Sequence, residues 1–162
     1  MQTETCSTKV EIFNNFDEMN LDELLLRGIY AYGFEKPSYI QQNAIVPLSK
    51  GKDVIAQAQS GTGKTATFLI GTIQKILVKL KTQKEQKEQK EQKDQKSKVS
   101  AVVIAPTREL AQQIFTVCNQ LTRYTPITSH CAIGGINIYE DIRSINKGVD
   151  IIIGTPGRIL HL

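Results

Sequence analysis

The apolar residues near the start of this chain recur at the spacing of two amphipathic helices. The first predicted helix is Leu21–Tyr32, and Gly33 follows where a C-terminal cap is expected. The second is Pro37–Lys50, where a proline suits the first turn. Pro47 lies late in this second pattern, so we expect it to bend or shorten the helix.

Beyond residue 52, short continuously apolar runs alternate with further helical patterns. The predicted strands are Asp53–Ala58, Ser100–Ala105, Thr128–Ile133 and Asp150–Ile153, and the predicted helices are Lys64–Leu80, Thr107–Leu121, Asn137–Asn146 and one that starts after Thr155. This alternation predicts an α/β fold, a parallel sheet with helices on both faces. In such folds ligands bind at the carboxyl ends of the strands, here the turns 58–65, 106–109, 134–135 and 154–158.

The net charge of +4 resides in one segment. Residues 79–98 hold eight lysines and four acidic residues, and Lys84–Lys96 repeats Lys-Glu-Gln four times with Asp94 in the last copy. A period of three conflicts with the helical period, and the repeat offers no apolar residue to a core. We therefore predict a solvated insertion at 81–98, partly helical or disordered, with a basic RNA-binding arm as the alternative. The neutral remainder gives no electrostatic sign of nucleic-acid binding.

Several classes of protein fit this sequence poorly. The three cysteines are widely spaced and match neither a disulfide framework nor a zinc site. The longest apolar runs have the length of strands, so we predict no membrane span. Residues 1–12 are polar, lack the apolar stretch of a secretory signal and are interpreted as a flexible tail. His130 and His161 have no partner pattern and are interpreted as structural.

The strongest chemical signal is a loop that follows an apolar run and opens a helix. Its glycines would let backbone N–H groups surround phosphate oxygens at the positive end of the helix. Lys64 could reach the β- and γ-phosphates of a nucleotide, and Thr65 could place its hydroxyl on Mg²⁺. An ordinary glycine turn is the alternative, because alanine replaces the usual first glycine. The loop consists of Ala58, Gln59, Ser60, Gly61, Thr62, Gly63, Lys64 and Thr65.

The stretch 33–42, Gly-Phe-Glu-Lys-Pro-Ser-Tyr-Ile-Gln-Gln, supplies groups that suit adenine. Phe34 offers a face for stacking, and Gln41 offers a donor together with an acceptor for adenine N6 and N7. Taken alone, Phe34 would more often be a core residue and Gln41 a surface residue.

Five motifs together resemble the DEAD-box ATP-dependent RNA helicase family. They are similar to its Q motif, motif I, motif Ia, GG doublet and motif Ib. Within the family, the sequence of residues 25–37 and 53–68 is similar to that of one subfamily. This subfamily contains translation initiation factor 4A, the exon-junction-complex helicase and a nucleolar ribosome-assembly helicase. The motifs are 33–42, 58–65, Pro106-Thr107-Arg108-Glu109-Leu110, Gly134-Gly135 and Thr155-Pro156-Gly157-Arg158.

The resemblance implies an incomplete RecA-like P-loop lobe at 13–162, interrupted by the insertion at 81–98. It implies that Phe34, Pro37 and Gln41 read adenine and that Lys64 and Thr65 hold ATP and Mg²⁺. Largely sequence-independent RNA contacts through backbone groups and phosphates are also implied. For both arginines of these motifs, a structural ion pair is the alternative. The implied RNA-binding residues are Pro106, Thr107, Arg108, Gly134, Gly135, Thr155, Pro156, Gly157 and Arg158.

The family's mechanism also requires an Asp-Glu-Ala-Asp strand, a Ser-Ala-Thr strand and a second lobe, which these 162 residues do not contain. We therefore expect the front part of an ATP-dependent RNA helicase, a truncated product or an incomplete gene model, inactive by itself because no catalytic set beyond Lys64 and Thr65 is present. A non-catalytic module that binds nucleotide, RNA or a helicase partner is the alternative, and a different P-loop enzyme would leave the joint motifs unexplained. Implied protein partners are of the initiation-complex or exon-junction type, and the implied location is cytoplasmic or nuclear/nucleolar.

Overall fold

A computed structural model describes residues 13–88, 99–135 and 137–162 of the chain. A short 3-10 helix precedes six α-helices and three β-strands, which alternate from β1 onward and confirm the predicted α/β class. The elements are the 3-10 helix Asp17–Met19, α1 Glu23–Ala31, α2 Tyr39–Ser49, α3 Lys64–Glu88, β1 Ala101–Ile104, α4 Arg108–Thr122, β2 Ser129–Ala132, α5 Ile138–Lys147, β3 Ile151–Gly154 and α6 Pro156–His161.

The three strands form one parallel sheet in the order β1-β3-β2. The last strand in the chain is therefore the middle strand, and its first residue, Ile151, lies opposite Ala101 on one side and Ser129 on the other. All four residues of β3 are buried. This burial explains why its sequence is continuously apolar rather than alternating.

Helices cover both faces of the sheet, as predicted. Ile151 and Ile153 belong to the main core, which also contains residues of α1, α2, α3 and α4. Ile152 projects to the opposite face, where it packs with Ile145 of α5 and Ile159 of α6. The alternate side chains of a single strand thus meet two separate helical layers.

The predicted strand Asp53–Ala58 is wrong. Residues 52–59 belong to no helix or strand, and Ile55 is fully exposed. A strand requires a neighbour that satisfies its backbone N–H and C=O groups. In the part of the chain that the structure describes, only β1, β2 and β3 pair, so this apolar segment has no ladder to join.

Helix α3 is longer than predicted and extends into the Lys-Glu-Gln repeat. It ends at Glu88 rather than Leu80, so the insertion begins as a helix, one of the two states expected for it. Residues 89–98 and the predicted tail at 1–12 lie outside the described residues. Within α2, Pro47 is accommodated two residues before the helix ends at Ser49. Among the described helices, none combines the length and apolarity that a membrane crossing requires.

Candidate functional site

The loop at 58–65 folds back on itself through its own donors. Lys64, the first residue of α3, donates from Nζ to the carbonyl oxygens of Ala58 at 2.5 Å and Gln59 at 2.6 Å. Thr62 Oγ1 also donates to Gln59, at 2.7 Å. Gly63 has φ +91°, a conformation that disfavours every side chain. The lysine ammonium is therefore held at the mouth of the loop, where a phosphate oxygen could replace the two carbonyls.

Two side chains of the segment 33–42 contact this loop. Ser38 Oγ donates to the carbonyl oxygen of Thr62 at 2.8 Å. Gln41 is buried; its Oε1 accepts from Ser38 N at 2.8 Å, and its Nε2 lies 3.5 Å from the carbonyl oxygen of Gly63. Each end of the amide keeps a second hydrogen-bonding position, one lone pair on Oε1 and one N–H on Nε2. One acceptor and one donor are what adenine N6 and N7 require. Recognition of adenine by Gln41 stays a prediction, and the amide has the groups for it.

Phe34 lies in an aromatic cluster beside this segment. Its ring centroid is 4.8 Å from that of Tyr32 and 6.3 Å from that of Phe16, and it packs against the main core. Pro37 is buried. Phe34 is only partly buried, and its role with adenine stays a prediction.

Thr65 is the only predicted metal-binding residue, and it lies half-buried in the first turn of α3. In the described segments, no group of three or more histidine, cysteine, aspartate or glutamate side chains could hold a metal ion. One hydroxyl is a weak metal site by itself, so the donor set fits a Mg²⁺ ion that arrives with the phosphates of a nucleotide.

Sequence reasoning missed two residues that support the loop. Ser38 is one, although Ser38-Tyr-Ile-Gln41 carries the S-x-x-Q signature of a capping box, which the structure shows at the start of α2. Thr67 is the other: it is buried, and its Oγ1 donates to the carbonyl oxygen of Gly63 at 2.9 Å. No pattern in the sequence distinguishes Thr67 from an ordinary helical threonine.

A second group of predicted residues surrounds an open cleft of about 290 Å³. The cleft is built by the connections that leave β1, β2 and β3 at their carboxyl ends, as the fold class predicts. Thr107, whose side chain accepts from Leu110 N at 3.2 Å, caps α4 beside it. The residues that line the cleft are Arg108, Gly134, Thr155, Gly157, Arg158 and His161.

Arg108 is exposed and lies across the glycine doublet. A Cβ atom at Gly134 would stand 2.8 Å from Arg108 Nη2, and one at Gly135 would stand 3.1 Å from Nη1. Both glycines therefore leave room for the guanidinium, and Gly135 also adopts φ +96°. The arrangement presents a positive charge beside backbone groups at the edge of the cleft.

Arg158 occupies a different environment from Arg108, because its side chain is only 8% exposed. Its Nε donates to the carbonyl oxygen of Ile133 at 3.0 Å and lies 3.1 Å from Asp141 Oδ2. On the other side, His130 Nε2 lies 2.8 Å from Asp141 Oδ1. The structure thus shows the ion pair considered as the alternative for Arg158, while its contact with RNA stays a prediction. Sequence reasoning missed Asp141 and did not foresee the partner of His130.

Of the cysteines, the structure describes Cys118 and Cys131, and neither belongs to the two groups of residues above. Burial raises the pKa of Cys118 to about 11, although a hydrogen bond with Ser129 opposes the shift. Burial, and then the charge of Asp141, raise the pKa of Cys131. Both thiols are therefore protonated at neutral pH and unsuited to nucleophilic chemistry.

Comparison with known proteins relates most of the chain to one family. The family model "DEAD/DEAH box helicase" matches residues 38–162. The chain is 50% identical over 156 residues to "Eukaryotic initiation factor 4A" of Drosophila melanogaster, which covers 96% of this chain and 35% of that protein. It is 51% identical over 151 residues to "ATP-dependent RNA helicase eIF4A" of Mycosarcoma maydis, which covers 93% of this chain and 33% of that protein.

A solved structure agrees with these relatives. Saccharomyces cerevisiae Dbp5, in a variant bound to a Gle1 variant and IP6, superimposes with a TM-score of 0.69 at 32% identity, over 93% of this chain and 34% of that one. The chain thus spans about a third of the length of the proteins it matches. Because the family model accounts for most of the chain, from the capping serine of α2 to the last residue, the chain belongs to the DEAD/DEAH box helicase family.

Proposed function

We propose that the chain is the ATP- and RNA-binding front part of an ATP-dependent RNA helicase similar to initiation factor 4A. In this proposal residues 13–162 are part of a RecA-like lobe, 81–98 an insertion and 1–12 a tail. The observation that carries it is the contact between Gln41 and the loop at 58–65, which joins an adenine-type donor set to a phosphate-type loop. An ordinary glycine turn would not require a buried glutamine from another helix beside it.

For ATP, we propose that Lys64 exchanges the carbonyl oxygens of Ala58 and Gln59 for phosphate oxygens. This exchange replaces two neutral acceptors by a charged one, which makes stronger hydrogen bonds. Thr65 would hold Mg²⁺ together with the phosphates, and the ion would neutralise charge on them. Phe34, Pro37 and Gln41 would enclose the base. The proposed loop residues are Ala58, Gln59, Ser60, Gly61, Thr62, Gly63, Lys64 and Thr65.

For RNA, we propose that the cleft at the strand ends binds the sugar-phosphate backbone. Arg108 supplies an exposed charge, and the helix starts at Thr107 and Thr155 supply backbone N–H groups. Such contacts carry no base information, so binding is expected to be largely independent of sequence. The other proposed contacts are Pro106, Gly134, Gly135, Pro156, Gly157 and Arg158.

ATP-dependent RNA remodelling by the protein that carries this chain is the wider part of the proposal. Its support is the name of the relatives, "ATP-dependent RNA helicase eIF4A", at about half identity. Protein partners of the initiation-complex or exon-junction type are proposed with it, because the similar Dbp5 structure contains a second protein, Gle1. A cytoplasmic or nuclear/nucleolar location is proposed with them, as the resemblance of the motifs implies.

The ATP part is tested by titrating the chain with a fluorescent ATP analogue. Lys64→Ala should lower affinity by about tenfold to a hundredfold, which is the worth of a charge-assisted hydrogen bond. Lys79→Ala is the matched control, since Lys79 lies exposed on the same helix and carries the same charge. Equal affinities of the two variants would refute the role of the loop.

The RNA part is tested by fluorescence anisotropy with a labelled single-stranded RNA at several salt concentrations. Arg108→Ala should weaken binding, and the slope of log affinity against log salt should become shallower by about 0.7, the value of one phosphate contact. The control is Arg123→Ala, an exposed arginine at the opposite end of α4. If both variants weaken binding equally, the cleft does not direct the RNA.

A further inference from the structure

A network of polar side chains formed by His130, Asp141 and Arg158 connects three elements behind the cleft. His130 comes from β2, Asp141 from α5 and Arg158 from α6. Asp141 is 2% exposed and lies between the other two, 2.8 Å from His130 Nε2 and 3.1 Å from Arg158 Nε. Ionised groups are rarely buried without a reason, because desolvation opposes them.

The two oxygens of Asp141 are engaged in different ways. Oδ1 lies within hydrogen-bonding distance of His130 Nε2, at 2.8 Å. Among the described residues, Oδ2 receives no hydrogen bond of good geometry, although it lies within ion-pair distance of Arg158. The Nε–H of Arg158 is directed at the carbonyl oxygen of Ile133 instead. Asp141 therefore acts on Arg158 mainly through charge, and it leaves the Nε–H for the backbone.

Three contacts connect the network to the surface of the cleft. Arg158 fixes the carbonyl group of Ile133, the residue directly before the Gly134-Gly135 doublet. The doublet in turn lies under the guanidinium of Arg108, with hardly any space between them. Arg158 itself belongs to the Thr155–Arg158 turn on the other wall of the cleft. A single buried carboxylate thus has a connection to both walls.

We propose that Asp141, supported by His130, is a positioning residue for RNA binding. It holds Arg158 so that the glycine doublet and the Thr155–Arg158 turn keep the relative placement that directs Arg108 at a phosphate. The inference deepens the proposed function, since it rests on the cleft as the RNA site. It adds to that site a residue that faces away from it and has no access to RNA.

The decisive variant is Asp141→Asn, because charge and positioning predict opposite results. Removal of a negative charge near an RNA site should tighten binding if long-range electrostatics were the whole effect. Loss of positioning should instead weaken binding by about tenfold, the size expected when Arg108 loses one charge-assisted hydrogen bond to a phosphate. Glu140→Gln is the matched control, since it removes the same charge from the adjacent, exposed position. It should leave RNA affinity unchanged or slightly higher.

A double-variant comparison separates positioning from a general effect on folding. If Asp141 acts through Arg108, then Asp141→Asn combined with Arg108→Ala should bind RNA no more weakly than Arg108→Ala alone. Affinity for the ATP analogue should not change, because loop 58–65 has no contact with the network in the structure. Arg158→Lys is a second variant, which keeps a charge opposite Asp141 but removes the Nε–H that holds Ile133. It should weaken RNA binding in the same way. This variant therefore tests the inference even if Asp141→Asn does not fold.

Hydrogen exchange provides a readout that does not depend on RNA. In the chain without RNA, Asp141→Asn should speed amide exchange at Gly135 and Arg158, relative to Glu140→Gln, with little change in α3. If the wild-type chain fails to bind RNA but exchange increases locally, the proposed function fails while the positioning itself is upheld. Unchanged exchange, unchanged or tighter RNA binding by Asp141→Asn, or additive effects with Arg108→Ala would overturn the inference.

Discussion

The side-chain nitrogen of Gln41 lies 3.5 Å from the carbonyl oxygen of Gly63, so the start of α2 contacts the loop that precedes α3. The same carbonyl oxygen accepts from Thr67 N at 3.0 Å and Thr67 Oγ1 at 2.9 Å. Gly63 is thereby fixed from two sides, by one helix before it in the chain and by the helix it begins. The consequence is that the segment proposed to bind the base and the loop proposed to bind phosphate are in direct contact through Gly63.

Replacement of Gln41 should therefore affect both selectivity and stability. In Gln41→Ala we expect the preference for ATP over GTP to fall, because guanine presents an acceptor where adenine presents a donor. We also expect a loss of about 1–3 kcal/mol in the free energy of unfolding, since Ser38 N loses its partner. The measurements are competition binding with both nucleotides and urea unfolding. Gln42→Ala, at the adjacent and less buried position, is the control, and equal ATP and GTP affinities in the wild-type chain would contradict the assignment.

The two loop glycines should respond differently to the same substitution. Gly61 and Gly63 have φ +80° and +91°, so alanine at either position is strained by about 1–2 kcal/mol. A Cβ at Gly61 meets nothing within 4 Å, whereas one at Gly63 would lie 2.6 Å from Gln41 Nε2. Thermal unfolding should consequently show a larger loss for Gly63→Ala than for Gly61→Ala. Equal losses would mean that Gln41 moves aside freely and does not hold the loop.

Asp22 should make stability depend on pH in the acidic range. Burial alone would raise the pKa of this carboxyl, but the hydrogen bond and charge of Lys81 and the N–H of Leu24 hold it below its ordinary value of 3.8. A lowered pKa in the folded state adds stability above pH 3.8, and this stability is lost as the pH falls through the folded value. Lys81 is 68% exposed, so solvent screens the ion pair and we expect its contribution to be small.

The variant that isolates this charge is Asp22→Asn, because asparagine still caps α1. It should be less stable than wild type at pH 7, and the difference in the free energy of unfolding should vanish well below pH 3.8. Glu23→Gln, at an exposed neighbour, should show no comparable dependence. A difference that persists in strong acid would show that Asp22 acts by packing alone.

Deletion of the repeat 84–96 should leave nucleotide binding intact. Helix α3 begins at the loop and reaches residue 88, so at 1.5 Å per residue the repeat starts about 30 Å from the lysine that would hold phosphate. If the repeat is a basic arm, RNA affinity should fall and its salt dependence should become weaker. Anisotropy titrations at two salt concentrations decide this, and unchanged RNA affinity at low salt would reduce the segment to a spacer.

The elements that could be predicted from the sequence are those whose burial is local and regular. Helix α4, predicted as Thr107–Leu121, is observed at Arg108–Thr122. The agreement is close because both its apolar face and its threonine cap are determined by residues near one another in the sequence. Strand β3 was recognised by its continuous apolar run, which reflects burial on both faces. The failure at 53–58 has the same origin, since an apolar run indicates a strand without showing what pairs with it.

The candidate sites were predictable in their loops and much less so in their supporting contacts. Glycine, lysine and arginine at the ends of the predicted strands indicate both groups of residues, although the strand predicted before loop 58–65 does not form. The network of His130, Asp141 and Arg158 joins positions up to 28 residues apart, and no periodicity relates them. The sequence does not show that Arg158 is buried and Arg108 exposed, because each arginine belongs to a similar short motif that follows a strand.

The order β1-β3-β2 has a consequence for biosynthesis. In the part of the chain that the structure describes, the two outer strands pair only with the middle strand, which is the last of the three to be translated. Because β1 and then β2 leave the ribosome before β3, each emerges with no strand beside it, although α2 and α3 can already pack together. Sheet formation must wait for residues 151–154 to leave the exit tunnel, and during that interval the apolar strand β1 is a natural substrate for chaperones.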